Sequence, residues 1–130
     1  MADAVTSQTL VDGARNAVMK FTNVSDGTGE SAVLKVDVSA LSGAPTAVKI
    51  NKIEYTTEGM SVNILWDATT DVLAVHLPQN SSDTLDFCDA GGLINNGGAG
   101  KTGDIMFTTV GHSALADDRY TVVLHMVKKW

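Results

Sequence analysis

The chain has 130 residues, 44% of them hydrophobic and only 5% aromatic, with nine basic residues against fifteen acidic and a formal net charge of −6. That apolar content excludes a disordered chain, and the length suits one domain with a core of Val, Leu, Ile, Ala and Met. The acidic balance excludes nucleic acid as a partner, because replacing the counterions on phosphate needs a basic stripe.

Cys88 is the single cysteine, so an intrachain disulfide is impossible and a cysteine-based zinc site is unsupported. A lone thiol fits assembly in a reducing cytoplasm. No basic segment followed by an apolar run opens the chain, and no apolar run approaches the ~20 residues of a membrane span, so no membrane role is expected. The Asn-x-Ser/Thr triplets at Asn23 and Asn80 are read as accidents of composition.

Residues 1–15 are small and polar, with Val5, Leu10 and Val11 among them; they are compatible with an N-terminal arm, a first strand or a short helix. From Ala17 a period of two takes over, with Ala17, Met19 and Phe21 on one row and Val18, Lys20 and Thr22 on the other. Ala32, Leu34, Val36 and Val38 continue in the same fashion. Between these runs lies a polar turn of Ser25, Asp26, Gly27, Thr28 and Gly29, residues that tolerate left-handed backbone or bond their own main chain, so Phe21–Val38 reads as a hairpin.

After a loop holding Gly43 and Pro45, Val48 and Ile50 start a strand on one parity and Ile53 and Tyr55 continue it on the other. That switch predicts a β-bulge or a crossing between sheets near Asn51 and Lys52. Thr57–Gly59 is a turn, and Met60, Val62, Ile64 and Trp66 form the cleanest half-buried strand. Val72–Leu77 is apolar on both parities, which predicts a strand covered on both faces, ended by Pro78. Leu85 and Phe87 mark a short strand, residues 90–103 form a loop with six glycines, and strands follow over Ile105–Thr109 and Tyr120–Met126. About eight strands with strong turns between them, and no helical periodicity, predict an all-β fold: an antiparallel β-sandwich of jelly-roll or Greek-key type spanning residues 16–130.

The chemistry-bearing patterns are sparse. Asn95–Thr102 (NNGGAGKT) imitates a phosphate-binding loop, but Asn95 stands where the first glycine belongs, and a strand follows where that loop needs a helix N-terminus. His76, His112 and His125 are dispersed and lack metal-ligand spacing. Cys88 has no catalytic context and is expected to pack as a small hydrophobe. Asp83, Asp86 and Asp89, and the pair Asp117–Asp118, lack calcium-loop spacing and read as solvated carboxylates. No catalytic residue, metal or cofactor is therefore expected.

What remains points to contacts between chains. Trp130 ends the chain after two lysines, Leu93 and Ile94 interrupt a Gly/Asn-rich loop, Val5, Leu10 and Val11 lie in a segment long enough to reach a neighbour, and Asp26 and Gly27 tip a turn. Such groups can anchor interfaces. Trp130 could equally cap the chain's own core, and Leu93 could anchor its own loop.

The runs Met19–Ser31 (MKFTNVSDGTGES), Lys35–Leu41 (KVDVSAL), Val48–Ile53 (VKINKI), Gly59–Ala68 (GMSVNILWDA), Lys101–Asp104 (KTGD) and Thr108–His112 (TTVGH) resemble, in the same order, small structural proteins of tailed bacteriophage particles. Among these, a free-standing domain of this size best matches a capsid decoration, or cement, protein. The resemblance implies a β-rich virion component on the capsid exterior, assembled in the host cytoplasm, homo-oligomeric with a trimer favoured, and partnered with the major capsid protein. Neck, tail or fibre-associated roles are the nearest rivals. A carbohydrate- or receptor-binding sandwich is a further one, with Tyr55, Trp66 and Trp130 as its aromatic candidates, although Trp66 falls on core parity.

Overall fold

The computed structural model describes residues 4–24, 32–88, 91–95, 97–100, 102–110 and 118–129. They form nine strands: β1 (Ala4–Asp12), β2 (Asn16–Val24), β3 (Val33–Val36), β4 (Ala47–Glu58), β5 (Ser61–Trp66), β6 (Val72–Leu77), β7 (Ser82–Asp86), β8 (Ile105–Val110) and β9 (Arg119–Lys129), with one 3₁₀ turn at Val38–Ala40. All pairings are antiparallel, and they make two sheets ordered β1-β2-β9-β4-β7 and β3-β8-β5-β6.

The wiring is that of a jelly roll. Strands β2 to β5 fold back on β6 to β9 as one long nested hairpin, giving the pairs β2·β9, β3·β8, β4·β7 and β5·β6. The hairpin then wraps so that these pairs alternate between two layers. The eight jelly-roll strands match the expected sandwich, and the N-terminal segment adds β1 to the open edge beside β2.

Alternation decides which side chains meet between the layers. Across the first sheet the inward rows are Phe21–Val122–Tyr55, Met19–Leu124–Ile53–Leu85 and Ala17–Met126–Ile50. The second sheet answers with Ile105, Phe107, Ile64, Val62, Trp66 and Leu77, each fully buried. Phe107 joins the layers: its ring meets Phe21 edge-on at 5.3 Å between centroids and Tyr120 at 5.8 Å. Edge-to-face pairs of this kind contribute about 0.5–1.5 kcal/mol each beyond their burial. On the outer face of the first sheet one polar row runs Thr6–Thr22–Thr121–Thr56–Ser82 through all five strands.

Three expectations change. The Phe21–Val38 hairpin does not form: β2 pairs with β1 and β9, whereas β3 pairs with β8 in the opposite sheet. The long alternating run of β9 competes better for β2 than the four-residue β3 can. A bulge between Leu34 and Val36 also breaks the single parity the hairpin required, sending Val36 inward and leaving Leu34 exposed. The turn residues Asp26 and Gly27 lie outside the described residues. Second, Val72–Leu77 is an edge strand whose Leu73 is 52% exposed, so it is not covered on both faces. Third, Cys88 is exposed rather than packed.

The parity switch near Asn51 is a bulge inside one continuous strand: the β4·β9 register shifts between Ile50 and Lys52, which lets Ile50 and Ile53 both reach the core. At the β4–β5 turn Gly59 has φ +78, and a Cβ there would overlap the carboxylate of Asp118, so glycine is required twice over.

Strand parity predicts opposite outcomes for neighbouring residues of β9. Leu124→Ala should lower the unfolding free energy by about 2–5 kcal/mol in urea denaturation, whereas Thr121→Ala on the solvated face should stay within about 0.5 kcal/mol of the parent.

Candidate interaction surfaces

The inward row of β9 runs Tyr120, Val122, Leu124, Met126 and then Lys128, so a lysine occupies the last core position. Its side chain has no exposed surface. The ammonium donates to Asp12 Oδ1 at 2.5 Å, to the Gly13 carbonyl at 2.5 Å and to the Ser42 carbonyl at 2.9 Å, which uses all three protons. Asp12 in turn accepts from the Ser42 amide on both carboxylate oxygens at 3.0 Å. The cluster therefore ties the end of β1 and the loop after the 3₁₀ turn to β9. The hydrogen bond from Lys128 holds the Asp12 carboxyl below its ordinary range, the Ser42 amide adds to this, and partial burial opposes it.

Beyond that clamp β1 stands outside the core. Its residues Thr6 to Asp12 are all exposed, with Leu10 at 48% and Val11 at 46%. Val5 lies on the same strand, opposite Asn23. Among the described residues β1 pairs only with β2, and no described strand lies along its other edge.

A second surface comes from the outward residues of the other sheet. Leu34 of β3 stands opposite Met106 of β8, Met106 opposite Leu65 of β5, and Leu65 opposite Leu73 of β6. Four large apolar side chains thus cross the outer face in one stripe, open at both ends where Leu34 and Leu73 are half exposed. The neighbouring row is polar, Thr108–Asn63–His76, with His76 Nδ1 2.6 Å from Asn63 Oδ1. The apolar signal on both parities of Val72–Leu77 was one end of this stripe. Leu34 was read on the same row as Val36 and reaches this face through the bulge between them, whereas Met106 and Leu65 are lone apolar residues on the minor parity of their strands.

The glycine-rich loop supplies the third surface. Leu93 bridges Ile50 through two main-chain hydrogen bonds of 2.7 and 3.0 Å and packs against the core, so it anchors its own loop. Ile94 is 67% exposed. It lines a cleft of about 490 Å³ with Thr46, Ala47, Lys49, Asn95 and Lys129. Described residues of the imitation phosphate loop are tied to the segment after β5: Thr102 donates to Asp67 Oδ2 at 2.8 Å, and the Thr69 amide donates to the Ala99 carbonyl at 3.1 Å. Strand β8 follows it. Trp130 lies outside the described residues.

The polar candidates do not converge. His125 Nε2 lies 2.8 Å from Glu54 on the outer face of the first sheet, and His76 sits on the second. His112 and Asp89 lie outside the described residues. Asp86 accepts from the Cys88 amide at 2.8 Å, which with the Cys88 thiol lowers its pKa. Among the described residues no three His, Cys, Asp or Glu side chains group closely enough to hold a metal ion. Tyr55 and Trp66 are buried at 5% and 0% exposure, which removes them as a sugar-stacking platform.

No protein-family model and no curated protein matches this chain. Among solved structures it is similar to a cupin superfamily protein from Desulfitobacterium hafniense, at 13% identity and TM-score 0.39 over 100% of this chain and 82% of that one. It is also similar to a cupin domain from Bordetella pertussis, at 10% identity and TM-score 0.39 over 98% of this chain and 97% of the other.

The clamp predicts an acid dependence. Because the folded-state pKa of Asp12 lies below the ordinary 3.8, its contribution is complete above that pH and disappears as pH falls through the depressed value. Asp12→Asn should therefore flatten the acid limb of a stability–pH curve, leaving the part due to Asp86. Lys128→Met, which strands the Gly13 and Ser42 carbonyls, should cost about 1–3 kcal/mol at neutral pH in urea denaturation.

Proposed function

We propose that this protein is a structural component of a tailed-phage virion, a capsid decoration protein that binds across adjacent major capsid subunits on the outside of the head. The identity of the particle comes from the sequence resemblance set out above. The observation that carries a surface-binding role is the stripe Leu34–Met106–Leu65–Leu73, an apolar row on the outside of a sheet with nothing among the described residues laid over its two ends. Scattered apolar residues are ordinary on a protein surface, but a contiguous row bounded by polar side chains is the composition of an interface core with its rim.

Burial at such a stripe favours association by the same apolar transfer that drives folding. A decoration protein gains by making each contact span two capsid subunits, because separating those subunits then exposes apolar surface on both. The acidic surface keeps the free protein soluble until it meets its site.

Two measurements test this reading. Purified protein should bind undecorated mature heads in a co-sedimentation assay, and Leu34→Asp together with Leu73→Asp should weaken binding by about tenfold or more, each tenfold being about 1.4 kcal/mol. Both positions are half exposed, so the variant should unfold within about 1 kcal/mol of the parent. Failure of the parent protein to bind heads would sink the decoration role, and cryo-electron microscopy density at the neck or tail would reassign the protein within the particle.

A further inference from the structure

Among the described residues four strands lie at sheet edges, and three of them are guarded. β3 is only four residues long and carries Lys35. β7 has five residues and carries Asp83 and Asp86. β6 has six residues, is bulged against β5, and is followed by Pro78. Shortness, charge, bulges and proline are the ordinary devices that stop edges from pairing with other chains. β1 lacks most of them. It runs nine residues, has no charge from Ala4 to Val11 and no proline or glycine, and pairs with β2 in unbroken register from Ala4 to Thr9 before its bulge at Leu10.

The pattern along β1 also fits its own reverse. It reads Ala4-Val5, then Thr6-Ser7-Gln8-Thr9, then Leu10-Val11: two apolar residues, four polar, two apolar. Laid antiparallel beside a second copy, the position of Leu10 comes opposite that of Ala4 if the axis passes by residue 7, and the position of Val11 comes opposite that of Val5 if it passes by residue 8; in either register the polar centres face each other. No like charges come opposite one another, which is the arrangement that would destabilise a cross-strand pair.

We propose that two copies of this chain pair through β1, edge to edge and antiparallel about a two-fold axis, making one continuous ten-stranded sheet. This deepens the assembly reading above and rests on it for the view that the exposed edge serves association. The isologous arrangement closes, whereas pairing β1 of one copy with β7 of the next would continue without end. The outer edges of the pair are then the two β7 strands, whose Asp83 and Asp86 oppose further growth.

The test is sedimentation equilibrium on the full chain in the absence of heads. The parent protein should show a reversible monomer–dimer equilibrium. Ser7→Lys with Thr9→Lys puts like charges opposite one another whether the axis passes by residue 7 or residue 8, and should weaken dimerisation by about tenfold or more. Ser7→Asp with Thr9→Asp should do the same, and an equimolar mixture of the two double variants should restore the dimer, a rescue that misfolded variants would not give. A parent protein that stays monomeric or forms trimers, a dimer indifferent to the substitutions, or a mixture that fails to associate would each overturn the pairing. Head binding by a monomeric parent would leave the decoration role standing while removing this inference, so the two fail separately.

Discussion

The central strand β9 has to satisfy both neighbours at once, and most of the molecule follows from how it does so. It pairs with β2 on one side over Arg119–Val127 and with β4 on the other over Arg119–Lys129. Its inward row supplies Tyr120, Val122, Leu124 and Met126 to the core. The same parity then delivers Lys128 to a position without solvent. A buried ammonium is tolerated only where its charge is paired and its protons are all accepted, and the acceptors come from Asp12, Gly13 and Ser42. One side chain at the end of β9 thereby links the end of β1 to the loop before β4, beside the main-chain bonds from the Lys128 amide to the Arg15 carbonyl and from the Thr46 amide to the Lys129 carbonyl.

The parts of this arrangement that could be read from the sequence are those where local pattern and tertiary environment agree. Met60, Val62, Ile64 and Trp66 alternate cleanly because β5 has one core face and lies between two partners, and the structure buries all four. The parity change between Ile50 and Ile53 announced the bulge for the same reason: both residues reach the core, and an extra residue is the only way a strand can allow that. The hairpin expected at Phe21–Val38 shows the opposite case. Each flanking strand is locally correct, but pairing is a long-range choice, and no feature of the turn says that the two strands enter different sheets.

The candidate surfaces were legible in part, and the difference has a physical origin. Leu10, Val11 and Ile94 stand out in a sequence because their neighbours are small and polar, and all three are exposed. Leu93, from the same loop, turns inward because its main chain pairs with Ile50. The stripe Leu34–Met106–Leu65–Leu73 is assembled from four strands separated by long stretches of chain, one residue from each. Such a surface exists only after register is fixed. Lys128 was hidden differently, by its place in a basic chain end that reads as solvated until the alternation of β9 is carried two residues further.

The two proposed association surfaces are geometrically compatible. β1 extends the edge of the first sheet, whereas the apolar stripe lies on the outer face of the second. A two-fold axis that joins two sheets edge to edge as one continuous sheet runs perpendicular to it, so it keeps each face on its own side. Both stripes of the proposed pair would then face the same direction. Two weak apolar contacts presented together to one surface bind far more strongly than either alone, because the second forms at the effective concentration set by the first. A pair built in this way suits a target that repeats, and it also explains why a modest row of four side chains on each chain would suffice. The clamp at Lys128 contributes to the same end: by fixing β1 to the body of the domain, it fixes the spacing between the two stripes, and spacing decides whether both can engage at once.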